Sequence, residues 1–328
     1  MGLRRKKRLF GAGLGAGLLG AVLLALRFAV RPVTKARVPD TISPAIFRTK
    51  ALHTSLGQIV YHESGSGPTL VFIHGLCPGA SSYEWSKVYP RFTSSHRVLA
   101  PDLIGFGESA RPDASLTAAD YARSLAEFIR GTCDEPVSIV ASGLGAGLSV
   151  LLATQHPEVV KQLCLWMPTG FAERRKREVS LGRRVASMAP AVHRFMYRNY
   201  ESSHAAVRGW LAIHGFADPA RITDETIDVY GTCARQYGAE HAIRNLYAGR
   251  LNVDLEQRLP MLSQPATLLW AGQPAEAPPE LPARLQGLAR GSRLLLVPRL
   301  SQLAAIEGPA EIAALLADEL DPGPKVVR

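Results

Sequence analysis

Cysteine is scarce: the 328 residues include four, Cys77, Cys133, Cys164 and Cys233. No two form a C-x-x-C pair, so the spacing excludes the usual zinc and dithiol motifs. Cys164 lies in an apolar run and reads as a small buried hydrophobe. All four are expected as unpaired thiols, with no metal and no other cofactor. Carboxylates are also short: 28 Asp and Glu face 38 Lys and Arg, a formal charge of +10. That balance suits nucleic acid or an anionic membrane surface. The chain has no nucleic-acid-binding motif, so no nucleic acid partner is expected. Only 20% of residues are charged while 47% are hydrophobic, which excludes global disorder and supplies a packed core. No internal repeat is visible. The length suits one large α/β domain or two ordinary ones.

The N-terminus carries the first positive signal. RRKKR at 4–8 is followed by an uncharged run, 9–26, then Arg27 and three more apolar residues. A bilayer core takes about 20 apolar residues at helical rise. Residues 9–30 therefore read as an uncleaved, single-pass transmembrane anchor behind a basic tail, 1–8, with Arg27 able to snorkel. A secretory signal peptide is the competing reading. Its basic n-region fits, but a convincing A-x-A site is lacking, and RRKK matches a twin-arginine signal only weakly. Gly11-x-x-x-Gly15 and Gly13-x-x-x-Gly17 are small-xxx-small patterns that glycine-rich low complexity explains equally well. A short, densely charged N-tail is costly to translocate, so the tail is expected in the cytoplasm and the globular part outside it. Pro32, Pro39 and Pro44 mark residues 31–45 as a linker.

Beyond the linker, strand-like and helix-like runs alternate, the pattern of an α/β fold with a mostly parallel sheet. Strands are expected at 56–63, 69–75, 96–102, 136–142, 161–168, 266–272 and 292–298. Helices are expected at about 117–131, 145–155, 280–289 and 309–319. Residues 171–260 interrupt the alternation. They look helix-rich and basic, with ERRKR at 173–177 and then Arg183, Arg184, Arg194, Arg198 and Arg208, interleaved with Phe195, Tyr197, Tyr200, Trp210 and Phe216. A solvated helical insertion is one reading of this pattern. A basic face lying on anionic lipid is the other.

Several pieces then fall in a telling order. FIHG at 72–75 ends a strand, APDLIGFGESARP at 100–112 follows another, and VASGLGAGL at 140–148 joins a strand to a helix. Together they resemble the α/β-hydrolase family over about residues 46–320. The resemblance implies a central, mostly parallel sheet flanked by helices. Its core would come in two parts, 46–170 and 261–321, split by a helical cap at 171–260 and followed by a tail, 322–328. It also implies a pocket under the cap, lined near His74, Gly75, Leu76, Ser142 and Leu144, with oxyanion-hole amides near Leu76 and Leu144.

The family's chemistry uses a serine on a strained turn, a histidine that takes its proton and an acid that holds the histidine. Here the motif's register runs Ala141-Ser142-Gly143-Leu144-Gly145, so Gly143 holds the nucleophile position. Glycine tolerates the turn's backbone angles but forms no acyl intermediate. Ser142, one residue away, reads as a buried hydrogen-bonded hydroxyl. Pro274 stands where the acid is expected, with Glu276 two residues later; the alternative acid position, Met167-Pro168-Thr169, has no carboxylate. Gln302 stands where the histidine is expected, and an amide cannot shuttle a proton near neutral pH. His74, His156, His193, His204, His214 and His241 read as structural or surface residues. The expectation is a membrane-anchored protein of this fold without catalytic residues, binding a protein partner or a small apolar ligand. Two alternatives stay open: an esterase-like hydrolase with unconventional residues such as Cys77, Ser142 or a cap histidine, and an accessory or scaffold subunit of a membrane complex.

Overall fold

The structure, a computed structural model, describes residues 42–169, 181–271 and 280–320. The expected anchor, most of the linker, the ERRKR run, Pro274, Glu276 and the tail lie outside the described residues. Among the described residues, eight strands form one sheet in the order β1-β2-β4-β3-β5-β6-β7-β8. They are β1 Arg48–Thr54, β2 Gly57–Ser64, β3 Thr69–Ile73, β4 Arg97–Pro101, β5 Val137–Ser142, β6 Val160–Trp166, β7 Ala266–Ala271 and β8 Arg293–Val297. β1 pairs antiparallel with β2, and β2 antiparallel with β4; every later pairing is parallel. The central strands VSIVAS and ATLLWA are buried at every position, as parallel strands covered on both faces must be.

β1 is absent from the sequence expectation. Its RTKALHT is largely exposed and has no clean apolar alternation, so neither burial nor period marks it. It forms because a tight turn brings it against β2, with Thr54 opposite Gly57. The last residues of the expected linker are not loose: Ile42 is buried, and the Ser43 hydroxyl hydrogen-bonds the Tyr89 hydroxyl at 2.9 Å.

The helices are α1 Ala118–Thr132, α2 Gly143–Gln155, α3 Leu181–Ser187, α4 Pro190–Met196, α5 His204–Trp210, α6 Asp224–Ala234, α7 Ala239–Tyr247, α8 Leu255–Arg258, α9 Leu281–Leu288, α10 Ala304–Glu307 and α11 Pro309–Leu320. α1 starts on a capping box, Thr117 with Asp120, which satisfies two backbone donors the helix leaves open. α2 is apolar nearly all round and is buried through residue 153, as a helix in the middle of a core must be. α3 to α7 form the cap between β6 and β7. Within it, α4 and α5 each run into a wider π turn, at Tyr197–Glu201 and Leu211–Gly215. Among the described residues no helix is long and apolar enough to cross a membrane. All four cysteines are free thiols, as expected.

Candidate functional site

The site grows from the C-terminal end of β5. Ser142 is the last strand residue, and the chain turns into α2 at Gly143 with φ of +51°. That angle lies in the left-handed region, which glycine enters without steric cost. A Cβ added at Gly143 would fit in ordinary van der Waals contact, its nearest neighbours being Gln302 Nε2 at 3.5 Å and Gly75 Cα at 3.9 Å. The two glycines downstream serve another purpose. A Cβ at Gly145 would lie 2.2 Å from the His74 carbonyl oxygen, and one at Gly147 2.5 Å from that of Thr169. Both let α2 press onto neighbouring backbone, which fixes the register of the turn. The turn is further tied by Thr169 N–H donating to the Gly143 carbonyl at 3.0 Å.

Gln302 reaches this point from the loop between β8 and α10. The Trp166 indole N–H donates to the carbonyls of Ser301 and Gln302, both at 3.1 Å, and so seats the loop on β6. Arg299, just before it, holds φ of 70°, and Met167, just after β6, φ of 42°. These are uncommon angles for side-chain-bearing residues, and they flank the site on both sides. The buried Glu307 carboxylate accepts from the backbone N–H groups of Ser301, Ala217 and Asp218 at 2.9 to 3.1 Å. With Leu303 N–H on the Gly215 carbonyl at 2.8 Å, this clamps the end of the cap's second π turn to the loop that carries Gln302.

On the other side lies the segment after β3. His74 is fully buried. Its Nε2 accepts from Leu103 N–H at 3.0 Å, so Nδ1 carries the proton and donates to the Gly75 carbonyl at 2.6 Å. Burial pushes its pKa down, against a smaller upward pull from Asp102. His74 is thus a neutral brace between two loops. Leu76 and Leu144, which follow the two glycines that meet at the turn, are almost fully buried.

One residue that the sequence reading passed over stands at the centre. The Glu84 carboxyl is buried; one oxygen accepts from Gly75 N–H at 2.7 Å and the other hydrogen-bonds the Ser142 hydroxyl. It therefore joins the segment after β3 to the residue just before the turn. Burial pushes its pKa up to about 7, with the hydrogen bonds from Ser142 and Gly75 pulling the other way. No spacing rule points to it: it sits nine residues after Gly75 in a short 3-10 turn, Ser82–Trp85, that carries no motif of its own. Ser142 is, as expected, a buried and hydrogen-bonded hydroxyl. Cys77 is buried too, and burial with the nearby Glu84 raises its pKa well above the ordinary thiol value, so it is no thiolate nucleophile.

The cap histidines are engaged in packing. His193 Nε2 meets the Glu240 carbonyl at 3.0 Å, His204 Nε2 meets Arg235 at 2.9 Å, and the His214 ring packs beside Trp210. Much of the cap's positive charge is paired: Arg198 and Arg194 with Glu240, and Arg183 with Glu201.

A mostly parallel eight-stranded sheet, a strand-to-helix turn at positive φ and a helical cap between β6 and β7 together define the α/β-hydrolase fold. The chain has that fold. A family model described as alpha/beta hydrolase fold matches residues 68–209. Among curated relatives, 2-hydroxymuconate semialdehyde hydrolase of Pseudomonas sp. (strain CF600) is 37% identical over 117 residues, 34% of this chain and 40% of the relative. An uncharacterized protein of Mycobacterium tuberculosis is 34% identical over 147 residues, 45% of this chain and 41% of the relative. The chain thus spans about two fifths of these relatives. An uncharacterized hydrolase of Bacillus subtilis (strain 168) aligns over 80% of this chain and 94% of its own length at 26% identity. Among solved structures, a serine hydrolase involved in carbazole degradation superposes with a TM-score of 0.70 at 23% identity, covering 84% of this chain and all of that one. A bacterial membrane phospholipase A gives 0.70 at 20% identity, covering 98% and 99%.

Proposed function

We propose that this chain is a membrane-tethered, non-catalytic protein of the α/β-hydrolase fold that binds a small apolar ligand or a protein partner beneath its cap. One observation carries the reading. The positions at which a nucleophile and its base face each other are formed and adjacent, 3.5 Å from the Gly143 Cβ position to Gln302 Nε2, and neither residue can do the chemistry. The turn, the seated loop and the clamped cap persist around a pair that binds but does not cleave. Pro274 at the acid position supports the same reading from the sequence.

The apolar run at 9–30 supports the tether, with the domain placed outside the cytoplasm by the basic tail. Exposed Leu181, Val185 and Met188 recur at helical spacing along and just past α3, beside Arg183 and Arg184. That pairing of apolar and basic groups supports a cap lying on anionic lipid. Liposome binding by a chain lacking residues 1–30 should then fall steeply with salt, and binding that is absent or indifferent to salt refutes the lipid face.

The decisive test is a panel of short- and long-chain acyl esters with a serine-reactive phosphonate. The expected result is no turnover above background and no labelled peptide. The Glu84–Ser142 hydrogen bond favours a second reading, in which Glu84 takes the Ser142 proton and the protein is an unconventional hydrolase. Phosphonate labelling mapped to Ser142, with turnover that Ser142→Ala abolishes, would establish that reading and sink the first.

A further inference from the structure

Away from the turn, at the corner where β2 meets the loop following β4, three side chains converge. They are His62 on β2, Asp102 directly after β4, and Glu108 six residues further on. One ligand atom of each lies within 4.8 Å of those of the other two. His62 and Asp102 are buried, whereas Glu108 opens to solvent, leaving a way in. His62 Nε2 is buried with no hydrogen-bond partner, although it lies 3.9 Å from a Glu108 oxygen. That distance is too long for a hydrogen bond, and a buried polar nitrogen without a partner is left at an energetic cost. The other ring nitrogen, Nδ1, is 3.1 Å from the Thr49 hydroxyl on β1. With Nδ1–H donating to that oxygen, Nε2 presents its lone pair to the two carboxylates.

We propose that His62, Asp102 and Glu108 bind one divalent cation of the zinc class. The donor set is one imidazole nitrogen and two carboxylate oxygens, three protein ligands with room for water on the exposed Glu108 side. Thr49 supplies the outer hydrogen bond that holds a ligating histidine in the correct tautomer. Asp102 stays anchored while ligating: its two oxygens accept from Ser82 N–H and Glu108 N–H, each at 2.7 Å, and each keeps a further lone pair. The metal acts as a clip between β2 and the loop 102–110. That loop reaches the cap, where the Gly105 backbone packs so closely on Ala242 of α7 that an added Cβ would lie 2.4 Å from the alanine methyl. The site thus fastens the sheet edge to a loop on which the cap rests.

The test uses the full-length chain stripped with chelator and titrated with Zn2+ against a fluorescent zinc indicator, followed by Co2+ for its absorption spectrum. One equivalent of Zn2+ is expected. Glu108→Gln and His62→Gln should each weaken it at least about tenfold, and Thr49→Val by about tenfold or more. Excess Mg2+ should not displace the metal, because carboxylate–water sites suit Mg2+ and imidazole does not. The Co2+ form should lack thiolate charge-transfer bands, and Cys133→Ser should change nothing. Glu108 is partly exposed, so its variant is expected to fold and give a clear reading even if the His62 variant does not. Failure to bind one equivalent, affinity unchanged in Glu108→Gln, or thiolate bands in the Co2+ spectrum would each overturn the proposal.

Discussion

Replacing Glu84 by glutamine should change how stability depends on pH, in a direction and by an amount the structure sets. The group's pKa is pushed from its ordinary 4.5 to about 7 by burial. The folded state therefore holds a proton that the unfolded chain has already released between those two values. Stability from this group is fully present below about 4.5 and is lost as pH rises through about 7. At 1.36 kcal/mol per pKa unit, the whole contribution is about 3 kcal/mol, most of which disappears between pH 5 and pH 8. Glutamine mimics the neutral carboxyl: its carbonyl oxygen can accept from Gly75 N–H, and its amide can donate to the Ser142 hydroxyl. Urea unfolding of both proteins across that range isolates the effect. His74 and His193, whose pKa values burial pushes down, titrate in both proteins and cancel in the difference. The wild type should lose about 2–3 kcal/mol relative to Glu84→Gln on going from pH 5 to pH 8. Parallel curves, or a variant that loses more than the wild type at high pH, would refute the account of Glu84 as a carboxyl whose burial outweighs its two hydrogen bonds.

Gly143→Ser should fold, because the added Cβ has room, but at a cost of about 1–2 kcal/mol for a left-handed non-glycine residue; thermal unfolding measures the cost, and ester assays should show no activity above background. Robust turnover would reveal a base elsewhere in the site, since Gln302 cannot act as one. Gly145→Ala should be much worse, costing about 3 kcal/mol or failing to fold, because its Cβ meets a backbone oxygen that cannot step aside. Glu307→Ala removes the acceptor of three backbone N–H groups and should cost about 3 kcal/mol or more. Hydrogen exchange should then rise at residues 217, 218 and 301 while the central strands stay protected.

The fold was legible wherever burial leaves a compositional trace. β3, β5, β6 and β7 are short apolar runs ending in turn residues, and the positions of Gly143 and Gln302 came from resemblance to the family's motifs after the fifth and eighth strands. β1 left no such trace because it is exposed and pairs along one edge. Gly145 and Gly147 were visible as letters, yet only coordinates show that each faces a carbonyl. Glu84 was invisible for a physical reason: its importance lies in partners nine and 58 residues away, and no local period encodes a lone carboxyl under a loop. The His62 cluster is similar, since its members are joined by strand pairing and one loop rather than by a ligand spacing.

Glu307 has a mechanical consequence for the cap. Its bonds to Ala217, Asp218 and Ser301 pin the end of the second π turn to the same loop that presents Gln302. The cap and that loop are therefore coupled: a shift of residues 217 and 218 carries Ser301 with it, and so moves the neighbouring Gln302 that faces Gly143.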